Sequence, residues 1–140
     1  MKTLSPFHLA LPVFDVNKAI TFYHQQLGFP LGRRSETWVD VNFFGHQIVF
    51  HRAAHAPKLH YNEVDNHGVP VPHFGVILEK KDWLELADKL KALEVEFVIE
   101  PYLRFEGKPG EQGTFFFKDP NGLALEFKTF ADCSQIFSVD

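Results

Sequence analysis

One pattern runs through this chain twice, and the duplication is what most narrows the folds open to it. Residues 6–13 alternate as a strand, with Phe7, Leu9 and Leu11 on one face and His8 and Ala10 on the other. Asp15 then caps a segment over 16–27 in which Ala19, Ile20, Phe22, Tyr23 and Leu27 recur at helical spacing, and Gly28 stops it. Short strands are expected at about 32–36, 37–43 and 46–52, the last two joined by Phe44-Gly45. Further on, 73–78 again reads as a strand, Asp82 as the cap of a helix reaching about Leu93, and 96–100 as a strand. Residues 114–129 form a hairpin closed by Asp119-Pro120-Asn121-Gly122, where Pro presets one backbone angle and Gly accepts a positive one. Each half is β-α-β-β-β.

The repeat has a register. His8 matches His73 at an offset of 65 residues, and Gly45 matches Gly122 at an offset of 77, the excess being taken up by a loop around 104–113. Glu126 then falls on Val49, with Gln47 and His51 two residues to either side on the same face. A carboxylate stands in an otherwise aliphatic strand of the second half, and the first half has a histidine without a matching acid. Between the halves, 53–72 is polar and rich in His and Pro, which suggests a functional loop or linker with solvated histidines. The chain is read as one domain: a first module over about 5–52, that linker, a second module over about 73–129, and a short tail.

A net charge of −4 without a block of Lys or Arg argues against nucleic acid or an anionic membrane as partner, leaving small molecules. The single cysteine, Cys133, permits no internal disulfide framework and suits a reducing compartment. No stretch approaches membrane-spanning length, and the N-terminal run shows no cleavage pattern, so a soluble cytoplasmic protein is expected.

Three segments, FHLALPVFDVNKAITFYHQQLGF, PHFGVIL and FFFKDPNGLALEF, stand in an order and at a spacing that resemble the vicinal oxygen chelate superfamily. That superfamily groups glyoxalase I, extradiol ring-cleaving dioxygenases, fosfomycin-resistance thiol transferases and bleomycin-resistance proteins. The resemblance runs from Phe7 through Lys128. It implies an α+β fold in which two tandem βαβββ modules form a curved, cup-like mixed sheet around a divalent metal, and it implies a homodimer in which cups can be completed between chains. The ligands it implies are His8, His73 and Glu126. Two imidazoles and one carboxylate make a facial set with open positions, suited to Fe(II), Mn, Ni, Co or Zn. Open positions let a metal hold a substrate through neighbouring oxygens.

Departures from the subfamilies sharpen the expectation. The second carboxylate of glyoxalase I would fall at Val49, the tyrosine of the extradiol enzymes within 115–117, and the threonine of the fosfomycin transferases at Ala10. The expected function is a metal-dependent glyoxalase- or dioxygenase-like enzyme, a lyase or dioxygenase acting on a small chelating molecule. The alternative is a non-catalytic binding or sequestering protein of the bleomycin-resistance type. His51 is the acid–base candidate and reads equally as an edge residue. Gln47, Arg104, Phe43, Phe115 and Phe117 are candidate substrate contacts, with Arg104 expected to clamp a carboxylate while Glu106 or Glu111 pairs with it. The loop around 104–113 reads equally as a solvated lid.

Overall fold

In the computed structural model, residues 4–139 are described; Met1–Thr3, where the N-terminal run starts, and Asp140 lie outside the described residues. The described residues form two compact units, a first that runs to Lys58 and includes the short piece Pro120–Leu123, and a second made of Leu59–Asp119 and the chain from Ala124 onward.

In the first unit the alternation after Phe7 becomes β1 (His8–Val13), and the helical spacing becomes α1 (Val16–Ala19) continued by a π-helical segment, Ile20–Gln26. The Asp15 carboxylate accepts from the Lys18 N–H at 3.1 Å, satisfying one of the free donors at the helix start. The wide turns are seen in the Leu27 N–H, which donates to the Phe22 carbonyl five residues back. Tyr23 stacks on Phe50 with ring centroids 4.7 Å apart. The strands β2 (Leu31–Arg34), β3 (Trp38–Phe43) and β4 (His46–Arg52) follow, and the sheet runs β1-β4-β3-β2 with only β1 and β4 parallel. Val13, Tyr23, Val39, Val41 and Phe50 are the largest fully buried side chains of this core. The tip Pro120–Leu123 joins it through Asn121, which accepts from the Asp15 N–H at 2.8 Å and donates to the Asp15 carbonyl at 3.0 Å.

The second unit opens with a hairpin that the polar composition of 53–72 concealed. β5 (His60–Val64) and β6 (His67–Val71) pair antiparallel across Asp65-Asn66, both at positive φ as a two-residue hairpin turn demands. The expected loop or linker is thus partly a hairpin, and of the histidines in 53–72 only His67 departs from the solvated expectation, stacking on Tyr102 at 5.4 Å, while His55 and His60 are exposed. The short β7 (Ile77–Leu78) leads into α2 (Lys80–Ala92), whose boundary residue is Glu79, so that Asp82 lies in the first turn instead of capping it. β8 (Glu96–Arg104) runs through Pro101 well past the expected end, accommodating it with shifts in register between Phe97 and Tyr102. β9 (Gln112–Lys118) and β10 (Ala124–Phe130) complete a sheet of order β7-β10-β9-β8. α2 buries Trp83, Ala87 and Leu90, and Trp83 Nε1 donates to the Phe127 carbonyl at 2.9 Å amid the rings of Phe115, Phe117 and Phe127. Each such ring contributes about 1.5–3 kcal/mol by leaving water.

Both sheets follow the order first, last, third, second, and the registers agree residue by residue. Leu9 opposite Ile48 corresponds to Phe74 opposite Leu125, and Pro12 opposite His51 to Ile77 opposite Lys128, at the offsets of 65 and 77 read from the sequence. The fold is α+β, two tandem βαβββ modules each carrying a mixed four-stranded sheet. No helix among the described residues is long and apolar enough to cross a membrane.

Candidate metal centre

In the second unit the backbone brings a histidine to a glutamate. The Glu126 N–H donates to the Phe74 carbonyl at 2.8 Å and the Lys128 N–H to the Val76 carbonyl at 3.2 Å, which lays the segment after His73 along β10. Gly75 makes this approach possible, since a Cβ there would sit 1.6 Å from the Glu126 carbonyl oxygen. His73 Nε2 consequently lies 3.2 Å from Glu126 Oε1. The outer partners fix both groups. His73 Nδ1 donates to the Pro70 carbonyl at 2.6 Å, and Glu126 Oε2 accepts from the Thr114 hydroxyl at 2.5 Å. The edge-to-face Phe116 ring, 5.0 Å from the imidazole, sits beside them.

This arrangement shifts both titrations. The hydrogen bond to Glu126 raises the His73 pKa above its usual value, against the lowering effect of burial and with help from the Pro70 carbonyl. For Glu126, burial pushes the pKa up, but the hydrogen bonds from His73 and Thr114 outweigh it and the net shift is down. Without a metal both shifts favour the imidazolium–carboxylate form of the pair.

In the first unit His8 is tied in the same sense by different means. Its Nδ1 lies 2.8 Å from Gln47 Oε1, which can only accept, while Gln47 Nε2 donates to Asp40 Oδ2 at 3.3 Å. This chain orients the His8 ring through Nδ1 and leaves Nε2 without a hydrogen-bond partner among the described residues. For both histidines the outward nitrogen is the one able to ligate, and a second partner orients the ring, as metal-binding imidazoles require. Two ligands about 2.1 Å from one metal and at right angles stand about 3 Å apart, close to the His73–Glu126 separation. The donor set fits a divalent cation. Among the described residues, no three His, Cys, Asp or Glu side chains gather closely enough to hold one.

The other expected site residues fall in several places. Gln47 and His51 lie exposed on β4, His51 with its ring centroid 6.5 Å from that of Trp38. Phe43, Phe115 and Phe117 are buried in the two cores instead of walling a pocket. The residue that does so is Phe116, directly opposite Glu126 across β9 and β10. Arg104 pairs with Asp65 at the hairpin turn, at 2.9 Å, not with Glu106 or Glu111. Glu111 accepts from Lys80 at 3.2 Å and from the Gly107 N–H at 3.1 Å.

Between the β5–β6 hairpin and the second sheet lies a cavity of about 240 Å³, with Val69, Ile99 and Phe116 as apolar wall and Asp65, Arg104, Glu126 and Lys128 as charged lining. Sequence reading missed Phe116, Thr114 and Lys128, although the hairpin register holds the clue. Once Ala124 is set opposite Lys118 by the closing turn, Phe116 and Thr114 share the face of Glu126 and Lys128.

A family model described as "Glyoxalase/Bleomycin resistance protein/Dioxygenase superfamily" matches residues 5–127. A glyoxalase/bleomycin resistance protein/dioxygenase from Alicyclobacillus acidocaldarius is 33% identical over 98% of this chain and 100% of its own, with a TM-score of 0.76. The fosfomycin resistance protein FosX of Listeria monocytogenes is 20% identical over 96% and 98% of the two chains, with a TM-score of 0.67. A virulence protein of Salmonella typhimurium is also 20% identical, over 94% and 100%, with a TM-score of 0.61. At this identity the last two show a shared fold alone. No curated protein is significantly similar in sequence.

Proposed function

The chain belongs to the glyoxalase/bleomycin resistance protein/dioxygenase superfamily, and from that premise we propose that it is a divalent-metal-dependent enzyme acting on a small molecule that chelates through neighbouring oxygens. The observation that carries this reading is the tethering of both imidazoles through Nδ1. His8 and His73 each commit Nδ1 to a fixed acceptor, and His73 turns Nε2 toward the carboxylate of Glu126. In this reading His8, His73 and Glu126 are the ligands, and Fe(II), Mn, Ni, Co and Zn all suit them. When bound, the metal supplies a Lewis acid for the oxygens of the substrate. Thr114 holds Glu126 in place, Pro70 holds His73, and the Phe116 ring excludes water from one side of the pair. His51 is the acid–base candidate, and a homodimer is the proposed assembly.

A second reading, a protein that binds such a ligand without converting it, is favoured by Val49 and the phenylalanines at 115–117, which stand where acid–base groups of the catalytic subfamilies would fall. Elemental analysis of wild type and Glu126→Ala, with thermal midpoints after chelation and after adding each metal, separates the possibilities. Near-stoichiometric metal that the variant loses, with a midpoint that rises on metal addition, is expected. No metal and no shift with any ion would sink the enzymatic reading. Metal bound, and chelating compounds returned intact, would favour the binder.

A further inference from the structure

Lys128 is the cation in the second unit's cavity that forms no close ion pair among the described residues, although Glu126 acts on it at longer range. Arg104 is neutralised by Asp65 at 2.9 Å, and Glu126 is matched by His73. The Lys128 ammonium forms no ion pair among the described residues, and the contact it does make is with the face of Phe130, at 5.4 Å from the ring centroid. It lines the cavity from the same face of β10 as Glu126, two residues on, so the two side chains leave the strand about 7 Å apart. A partly buried ammonium with no carboxylate at ion-pair distance favours an anion brought by the ligand.

We propose that Lys128 anchors a carboxylate of the ligand, which makes the substrate class a small organic acid bearing two neighbouring oxygens at one end and the carboxylate several ångströms away. The proposal rests on the metal reading above. One ammonium matches one negative charge, and Val69, Ile99 and Phe116 give the carbon skeleton between the two ends an apolar wall. Arg104, which the sequence suggests as the clamp, is held by the hairpin, and the anchoring role passes to Lys128.

The test uses catechol and 3,4-dihydroxybenzoate, which share vicinal oxygens and differ by a carboxylate. Calorimetric titrations are run on wild type, Lys128→Met and Lys128→Arg, each metal-free and with Mn(II), after thermal melts show that the variants fold. Wild type is expected to bind the acid roughly ten- to a hundredfold more tightly than catechol, the gain of a charge-assisted hydrogen bond. Lys128→Met binds the two alike, Lys128→Arg restores the preference, and high salt weakens it. No preference in wild type, a preference that survives in Lys128→Met, or failure of both compounds to bind overturns the proposal. The metal arm is read separately. If Mn(II) strengthens neither compound while the Lys128-dependent preference persists, the metal reading falls and the anchor stands; the reverse result leaves the metal and removes the anchor.

Discussion

The two modules share strand order and register, yet they hold their histidines differently. In the first, β1 pairs with β4 along its whole length, from His8 opposite Gln47 to Val13 opposite Arg52, and the residues along β4 on that face are Gln47, Val49 and His51. In the second, the corresponding positions are Ala124, Glu126 and Lys128, and the strand after His73 pairs fully only at Ile77 and Leu78. Ala10 of the first module becomes Gly75 of the second, at the one place where a Cβ would strike the opposite backbone. The same scaffold therefore supports an imidazole through a neutral amide in one half and sets it against a carboxylate in the other. What separates the halves is a small set of side chains and one missing methyl group, not their topology.

The sharpest way to break this comparison is at that methyl. Gly75→Ala is expected to destabilise the protein by more than about 3 kcal/mol, whereas Ala10→Gly in the first module costs about 1 kcal/mol or less. Denaturant midpoints would show it, and equal effects would mean that the two strands are equivalent after all. Next come the residues that orient the ligands. Gln47→Ala, which frees His8, and Thr114→Val, which frees Glu126, should each weaken Mn(II) or Zn(II) binding roughly ten- to a hundredfold. A Gln47→Ala protein that binds as wild type would remove the first module from the metal site.

The carboxylate of the second module also implies a pH window for the metal-free protein. The raised pKa of His73 contributes stability that is complete below its ordinary value of 6.5 and lost as pH climbs through the elevated folded value. The lowered pKa of Glu126 contributes stability that is complete above its ordinary 4.5 and lost as pH falls through the depressed folded value. Wild type should therefore exceed Glu126→Gln in thermal midpoint most clearly between those two values, with the gap closing on both sides. A gap that does not vary with pH would show that the pair is not coupled. The smallest effect is expected at the hairpin, where the Arg104–Asp65 pair is well exposed and Arg104→Met should change stability by about 1 kcal/mol or less.

Much of the fold was legible because it rests on local chemistry. The Asp15 cap, the Gly28 stop, the Phe44-Gly45 turn and the 65 and 77 offsets follow from patterns that any window of the chain displays. The β5–β6 hairpin was not, because all five residues of β5 are exposed and no apolar alternation marks it. The run Phe115-Phe116-Phe117 hid its own phase: three identical rings in succession fit either face, and only the pairing of Phe116 with Glu126 decides which one meets the cavity. The extent of β8 was masked by Pro101, which reads as a strand breaker until the irregular register around it is seen. Of the candidate site, His73 and Glu126 were readable as a strand start and a misplaced acid. Lys128 was not, since a lysine near a strand end carries no signal until its neighbours are found already paired.

The burial of Trp83 has an optical consequence. The chain has two tryptophans, one in each unit: Trp83, almost fully buried with the Phe115 ring beside it, and Trp38, partly exposed beside His51. The emission spectrum is thus a sum of a blue component from the second unit and a redder one from the first. Trp83→Phe leaves a reporter for the first unit and Trp38→Phe one for the second, so the melting of each half becomes visible without any added dye.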